Sequence, residues 1–267
     1  MDVTKNTIKY KRFIIPYRVY GSGKTCLLCI NGAQMSMGIW RPFITKFSKK
    51  YRVVIFDFPH QGAGEMISEP FHITFDEQVE CIEQVMNQIT HYDSLYIYGA
   101  SWGAIMAAAY AANNPSKVDK LILGSCAIKG NEKLNNIVTQ GINYYYKEET
   151  GKLGRLLING FGKSISPTLK KRIEQQFLKI DPRHLEAFYY QSNFVLKKKL
   201  VDIVNLSTIS ATSLIVYGDK DEVSDLDDVY MLQNEIKNSK LAIIKDTGHF
   251  LHLEDRSVME VYDEFFV

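Results

Sequence analysis

Short apolar runs, rich in β-branched residues, recur along the chain, each closing on Gly, Asn or Asp. They are Cys26–Asn31, Arg52–Asp57, Ser94–Gly99, Lys120–Gly124, Thr212–Gly218 and Lys240–Asp246. Within them apolar character is continuous rather than alternating, the pattern of strands covered on both faces in a parallel sheet. Between them lie segments with helical spacing: Phe75–Thr90, Trp102–Asn113, Asp225–Ile236 and Leu253–Phe266. Such alternation predicts an α/β fold with a wound, mostly parallel central sheet flanked by helices. Arg12–Tyr20 reads as an earlier strand, and Pro16, which has no N–H for a ladder, places it towards the sheet edge.

One stretch breaks the rhythm. From Ala127 to Ser210 no buried strand is evident, and helical segments carry aromatic residues: Tyr144–Tyr146, Phe161, Phe177, Phe188–Tyr190 and Phe194. The expected organisation is a core made of residues 1–126 and 211–267, with a helical insertion at 127–210.

Composition adds exclusions. The 267 residues are 46% hydrophobic and 23% charged, ordinary for a globular domain, with net charge +2. Lys and Arg are scattered, so neither nucleic acid nor a membrane is an expected partner. The densest basic run, Lys197–Lys199, reads as a solvated helix face. The N-terminus has no apolar core of signal-peptide length, and the apolar stretch Ala104–Ala112 is too short to span a bilayer, so a cytoplasmic location is expected. Cys26 and Cys29 form a CxxC spacing inside a predicted strand, where residues three apart face opposite ways. Neither a disulfide nor a shared metal fits that geometry, and all four cysteines are expected to be reduced.

Chemistry concentrates at the ends of the predicted strands. Gly99-Ala100-Ser101-Trp102-Gly103 is a G-x-S-x-G sequence between a strong strand and a strong helix, the context that motif requires. A serine hydroxyl needs a base, and the base an orienting carboxylate. His249 follows the last strand and is the candidate base; Asp219 and Asp221 both lie in the turn after SLIVY and are candidates for the acid. Oxyanion donors are expected from the Trp102 N–H and from the loop after Cys26–Ile30, with Ala33 preferred and Gln34 its competitor.

Three look-alikes fail on context. Gly21-Ser22-Gly23-Lys24-Thr25 resembles a P-loop tail, but Arg18 stands where the first Gly belongs and a strand follows, so a hairpin turn is the better reading. Gly62-Ala63-Gly64 opens no helix. His252 lies one helical turn past His249 but lacks the companions of a zinc motif. His60 could face the pocket; His72, His91 and His184 read as surface or core. No metal and no cofactor is expected.

Asn31-Gly32-Ala33, Asp57 with Gly62 and Gly64, Gly99-x-Ser101-x-Gly103, Gly218-x-x-Asp221 and Gly248-His249 together resemble the α/β-hydrolase superfamily, in its order and over nearly the whole chain from Leu27. The resemblance implies that the acid is Asp221, the last position of G-x-x-D, and that the insertion stands where the family carries its cap. More narrowly, the segments around Asn31, Ser101 and His249 look like those of the acyltransferases of rhamnolipid biosynthesis, which join 3-hydroxyacyl chains held on acyl carrier protein. The usual His-Gly of the oxyanion loop is Asn31-Gly32 here.

The implied activity is a serine hydrolase using Ser101, His249 and Asp221 on an ester or thioester with an apolar acyl group. Two alternatives stay open. One is an acyltransferase using hydroxyacyl thioesters on acyl carrier protein; the other is a catalytically silent ligand-binding relative.

Overall fold

The apolar runs assemble into one sheet in a computed structural model that describes residues 3–162 and 164–267. Its strands are β1 (Val3–Tyr10), β2 (Phe13–Tyr20), β3 (Thr25–Ile30), β4 (Arg52–Phe56), β5 (Glu65–Met66), β6 (Ser94–Ala100), β7 (Lys120–Gly124), β8 (Thr212–Gly218) and β9 (Ser239–Ile244). Their order is β1-β2-β4-β3-β6-β7-β8-β9, with β5 paired to β2. From β4 to β9 neighbours run parallel, while β1, β2 and β5 are antiparallel.

The helices are α1 (Arg41–Phe47), α2 (Phe75–Met86), α3 (Trp102–Asn113), α4 (Glu132–Tyr146), α5 (Thr150–Phe161), α6 (Pro167–Phe177), α7 (Pro182–Lys197), α8 (Leu226–Glu235), α9 (Leu251–Glu254) and α10 (Val258–Phe266). Thr74 and Glu77 form a reciprocal capping box that starts α2. Burial follows from the covering of both sheet faces. Leu28 and Ile97 pack with Ala108 of α3 on one side, and Leu27 and Tyr98 pack with Phe43 and Tyr262 on the other. Cys26 and Cys29 fall in these two opposite clusters, and all four cysteines are buried and free.

Several expectations need correction. β2 is not the edge strand: β1 lies outside it. β1 escapes detection because VTKNTIKY is mostly exposed and has no apolar run. Pro16 is tolerated because β4 stops at Phe56, opposite Tyr17, and the Pro16 carbonyl accepts the Asp57 N–H. Gly21–Thr25 is not a hairpin, since β4 separates β2 from β3. The predicted final helix is two helices, broken where the Asp255 side chain accepts the Ser257 N–H and hydroxyl.

Between β7 and β8 the chain leaves the sheet for α4–α7. Ile137, Leu157, Phe177 and Phe188 of these helices form an apolar cluster with Val223, which follows β8, and Phe250, which follows β9. The inserted helices therefore sit over the carboxyl ends of the parallel strands. No helix among the described residues is long and apolar enough to cross a membrane.

Candidate active site

Ser101 is the turn between β6 and α3. Its backbone is held at φ 54°, a left-handed conformation costly for a serine. The turn exists because its flanks are glycine. A Cβ at Gly99 would stand 2.2 Å from the Gly103 carbonyl oxygen, and one at Gly103 would stand 2.2 Å from that of Ile30. The Ser101 N–H donates to the Gly124 carbonyl of β7 at 2.8 Å, so the strained residue is pinned to the neighbouring strand.

The loop after β9 brings His249 over this turn. Its Nε2 lies 2.9 Å from Ser101 Oγ, and its Nδ1 lies 2.8 Å from Asp221 Oδ2. Asp221 is buried, and its other oxygen accepts the Val223 N–H at 3.0 Å. Asp219 points elsewhere, with its carboxylate 3.6 Å from Lys220 Nζ. The His249 loop is clamped on both sides of the imidazole. Glu254 accepts the N–H groups of Gly248 and Phe250, and Ser125 donates to the His249 carbonyl at 2.6 Å. A hydroxyl, an imidazole and a carboxylate in series can activate the hydroxyl as a nucleophile and stabilise the imidazolium that forms.

Ala33 and Trp102 line the cavity beside Ser101, while Gln34 does not. The N–H groups of Ala33 and Trp102 donate to no protein group among the described residues. Trp102 opens α3, so its N–H is one of the helix's unpaired donors and carries the favourable end of the dipole. Asn31, which replaces the usual His of this loop, is turned away from the cavity. Its side chain bridges the Phe56 carbonyl, Asp57 Oδ1 and the Trp40 indole N–H. Asp57 also accepts the N–H groups of Met37 and Ala63, at 2.6 Å and 3.0 Å. Burial pushes its carboxyl up from the ordinary value, against the pull of these donors.

The cavity holds about 180 Å³. Its wall is largely apolar: Met35, Ile105 and Val223 come from the core, and Leu157, Phe177 and Phe188 from the inserted helices. Phe161 of α5 lies against the His249 ring, with centroids 5.1 Å apart. Of the aromatic residues singled out in the insertion, Phe161, Phe177, Phe188 and Phe194 reach the cavity. Tyr145 does not: it stacks on Tyr189, 5.3 Å between ring centroids. The lining cations are Lys129 and Lys198, both exposed at the rim, so one member of the 197–199 run does more than face solvent.

His60 lies beneath the cavity wall rather than in it, buried with its Nε2 2.6 Å from Gln191 Nε2. His252 is a core residue stacked on Trp40. No group of three or more metal-binding side chains exists among the described residues. Pattern-reading of the sequence missed Gln78 and Gln191. The Trp102 indole N–H donates to Gln78 Oε1 at 2.8 Å, and Gln191 Nε2 donates to the same oxygen at 3.1 Å.

The profile describing the alpha/beta hydrolase fold matches residues 25–150. An (R)-3-hydroxydecanoyl-ACP:CoA transacylase of Pseudomonas putida is 23% identical over 252 residues, covering 91% of this chain and 84% of the relative. A 2-hydroxy-6-oxononadienedioate/2-hydroxy-6-oxononatrienedioate hydrolase of Escherichia coli is 25% identical over 254 residues, covering 91% and 87%. The crystal structure of an alpha/beta hydrolase enzyme from a Medee basin deep-sea metagenome library superposes with TM-score 0.83 at 20% identity, covering 98% of this chain and 97% of the other.

Proposed function

From the premise that the chain is an enzyme of the α/β-hydrolase superfamily, we propose that it cleaves a carboxylic ester or thioester with an apolar acyl group through a Ser101 acyl-enzyme. The observation that carries this reading is the series Ser101–His249–Asp221, with contacts of 2.9 Å and 2.8 Å, opening onto a cavity of apolar side chains.

Ser101 Oγ attacks the carbonyl carbon as His249 Nε2 takes the hydroxyl proton. Asp221 holds the imidazole with Nδ1 protonated and stabilises its charge. The oxyanion forms beside the N–H groups of Trp102 and Ala33, which have no competing protein partner among the described residues. Collapse of the tetrahedral species expels the alcohol or thiol, protonated from His249, and leaves the acyl group on Ser101. A second acceptor, deprotonated by His249, then takes the acyl group.

The inserted helices, 127–210, act as a cap. They cover the ester bond and bury the acyl chain, at about 0.8 kcal/mol per methylene. A short dioate, the substrate class in the name of the E. coli relative, fits less well. Its carboxylates would need cations inside the cavity, and those among the lining residues stand at the rim.

The acceptor is water in this reading. Acyl transfer to another thiol or alcohol is the second reading, favoured by the likeness to the transacylase, and it brings acyl carrier protein in as a partner. Fluorophosphonate labelling of Ser101, followed by product analysis on acyl thioesters with and without an added thiol, tests both. Labelling and free acid are the expected results. Failure of the wild-type protein to label would remove the acyl-enzyme, and thioester exchange outrunning hydrolysis would select the transferase.

A further inference from the structure

Hydrogen bonds join the loop after β3, which carries Ala33, to the loop after β4, which carries Gln61. Gly32 lies against the nucleophile turn: a Cβ there would stand 3.2 Å from the Ala100 carbonyl oxygen and 3.5 Å from Ser101 Cβ. Its carbonyl oxygen accepts two hydrogen bonds, one from the Met35 N–H at 3.2 Å and one from Gln61 Nε2 at 3.1 Å. A carbonyl only accepts, so the Gln61 atom at that contact is the amide nitrogen. In a trans peptide the carbonyl and the following N–H point opposite ways. Whatever holds the Gly32 oxygen therefore also aims the N–H of Ala33. Gln61 is itself held in place, its N–H donating to the Phe58 carbonyl at 2.9 Å and its carbonyl accepting the Gly64 N–H at 2.8 Å. Asp57 staples the two loops, with Oδ1 accepting from Asn31 and Met37 and Oδ2 from Ala63.

Gln61 is 1% exposed and lines neither the main cavity nor the smaller one beside His252, so it does not touch the substrate. Its side chain is also a poor structural anchor. The amide is buried for a single bond, and its oxygen has no donor among the described residues, a costly arrangement for the fold. That single bond ends on the peptide that presents Ala33. We propose that Gln61 is a positioning residue of the oxyanion hole: its amide, with the Met35 N–H, occupies the Gly32 carbonyl and so fixes the Ala33 N–H towards the substrate oxygen at Ser101. The inference rests on the serine acyl-enzyme reading and adds a residue to its machinery. Met35 belongs to the same loop as Ala33 and moves with it, whereas Gln61 anchors that loop to another. A donor aimed in advance needs no reorganisation as charge develops on the oxyanion. The bonds at the Gly32 carbonyl also polarise the peptide and strengthen the Ala33 N–H as a donor.

The test sets Gln61→Met, which keeps length and bulk and removes the donor, beside the wild-type protein. With p-nitrophenyl decanoate, kcat should fall by about tenfold to a hundredfold, less than outright loss of an oxyanion donor, while KM stays within about twofold. The affinity of nonyl trifluoromethyl ketone, whose adduct with Ser101 carries an oxyanion, should fall by the same factor as kcat/KM. Inhibition by decanol, which fills the apolar cavity without forming an oxyanion, should not change. A merely structural role would lower the urea midpoint and leave the ketone-to-decanol ratio alone. A kcat within about threefold of wild type would overturn the proposal. So would a fall in kcat that the ketone does not share, or a rise in KM at constant kcat. Should Gln61→Met fail to fold, Gln61→Asn, which keeps an amide but withdraws it by one methylene, should give the same pattern. Failure of both to fold would assign Gln61 to the fold and overturn the proposal as well. Fluorophosphonate labelling of the wild-type protein separates the two layers: no labelling at Ser101 sinks the acyl-enzyme, whereas labelling together with an undiminished Gln61→Met sinks the Gln61 assignment alone.

Discussion

Ser101 and Asp221 stand on either side of one imidazole, so removing them should fail differently. Ser101→Ala deletes the attacking atom, and turnover should fall on the order of a million-fold, with fluorophosphonate labelling lost. Residual activity above about a tenth of wild type would exclude Ser101 as nucleophile, since loss of a triad member is never so mild. Asp221→Asn leaves the series in place but favours the wrong tautomer, at a cost of roughly four decades in kcat. Asp219→Asn should cost far less, because its carboxylate lies by Lys220 and not by His249; a reversed order in the kinetics would transfer the acid role. The placement of Ser101 and His249 at strand ends could be read from the sequence because each follows a strong apolar strand. Spacing could not separate Asp219 from Asp221, since that choice depends on which way a tight turn points its side chains. Gln191 had no local signal at all. Its partners lie 113 and 131 residues away, and no periodicity reports a hydrogen bond at that separation.

The elements that read clearly were those with continuous apolar runs. Both faces of the inner parallel strands are covered, so every residue of β3 and β7 but the first is buried. Two elements that did not announce themselves are β1, which is nearly all exposed, and α1, which is seven residues long. The insertion was legible as helical, but its aromatic residues gave no sign of which helix face meets the cavity. That distinction makes the acyl-length experiment specific. Phe188 lines the cavity, and Phe188→Ala should move the preferred acyl chain to greater length, read as the ratio of kcat/KM for dodecanoyl and hexanoyl p-nitrophenyl esters. Tyr145 stacks on Tyr189 outside the cavity, and Tyr145→Ala should leave that ratio within about twofold, as expected for a change that touches no substrate. If neither substitution alters chain-length preference, the insertion packs without selecting, and the case for an apolar acyl substrate falls.

At the scale of the whole molecule, two buried imidazoles tie stability to pH. Burial pushes His60 down to about 3 and His252 down to about 4, whereas in the unfolded chain both take the ordinary value near 6.5. Between these limits the unfolded chain binds protons that the folded one refuses. Their contribution is therefore complete above about pH 6.5 and is lost as pH falls towards 4, at roughly 1.4 kcal/mol per pH unit for each histidine. Urea midpoints should be level from pH 8 to 7 and fall steadily from pH 6 to 4.5; a level midpoint down to pH 4.5 would contradict the burial of both rings. The bonds joining Gln191 of α7 to His60 and to Gln78 of α2 bear on a different question, the exchange of parts between relatives. An inserted segment held by apolar contact alone could be grafted from one enzyme to another as a cassette. This one carries an amide that donates to two side chains beneath it, so a graft lacking a donor at position 191 would leave His60 Nε2 with no partner among the described residues. Chimeras that move residues 127–210 together with positions 60 and 78 should fold more stably than chimeras that move the helices alone.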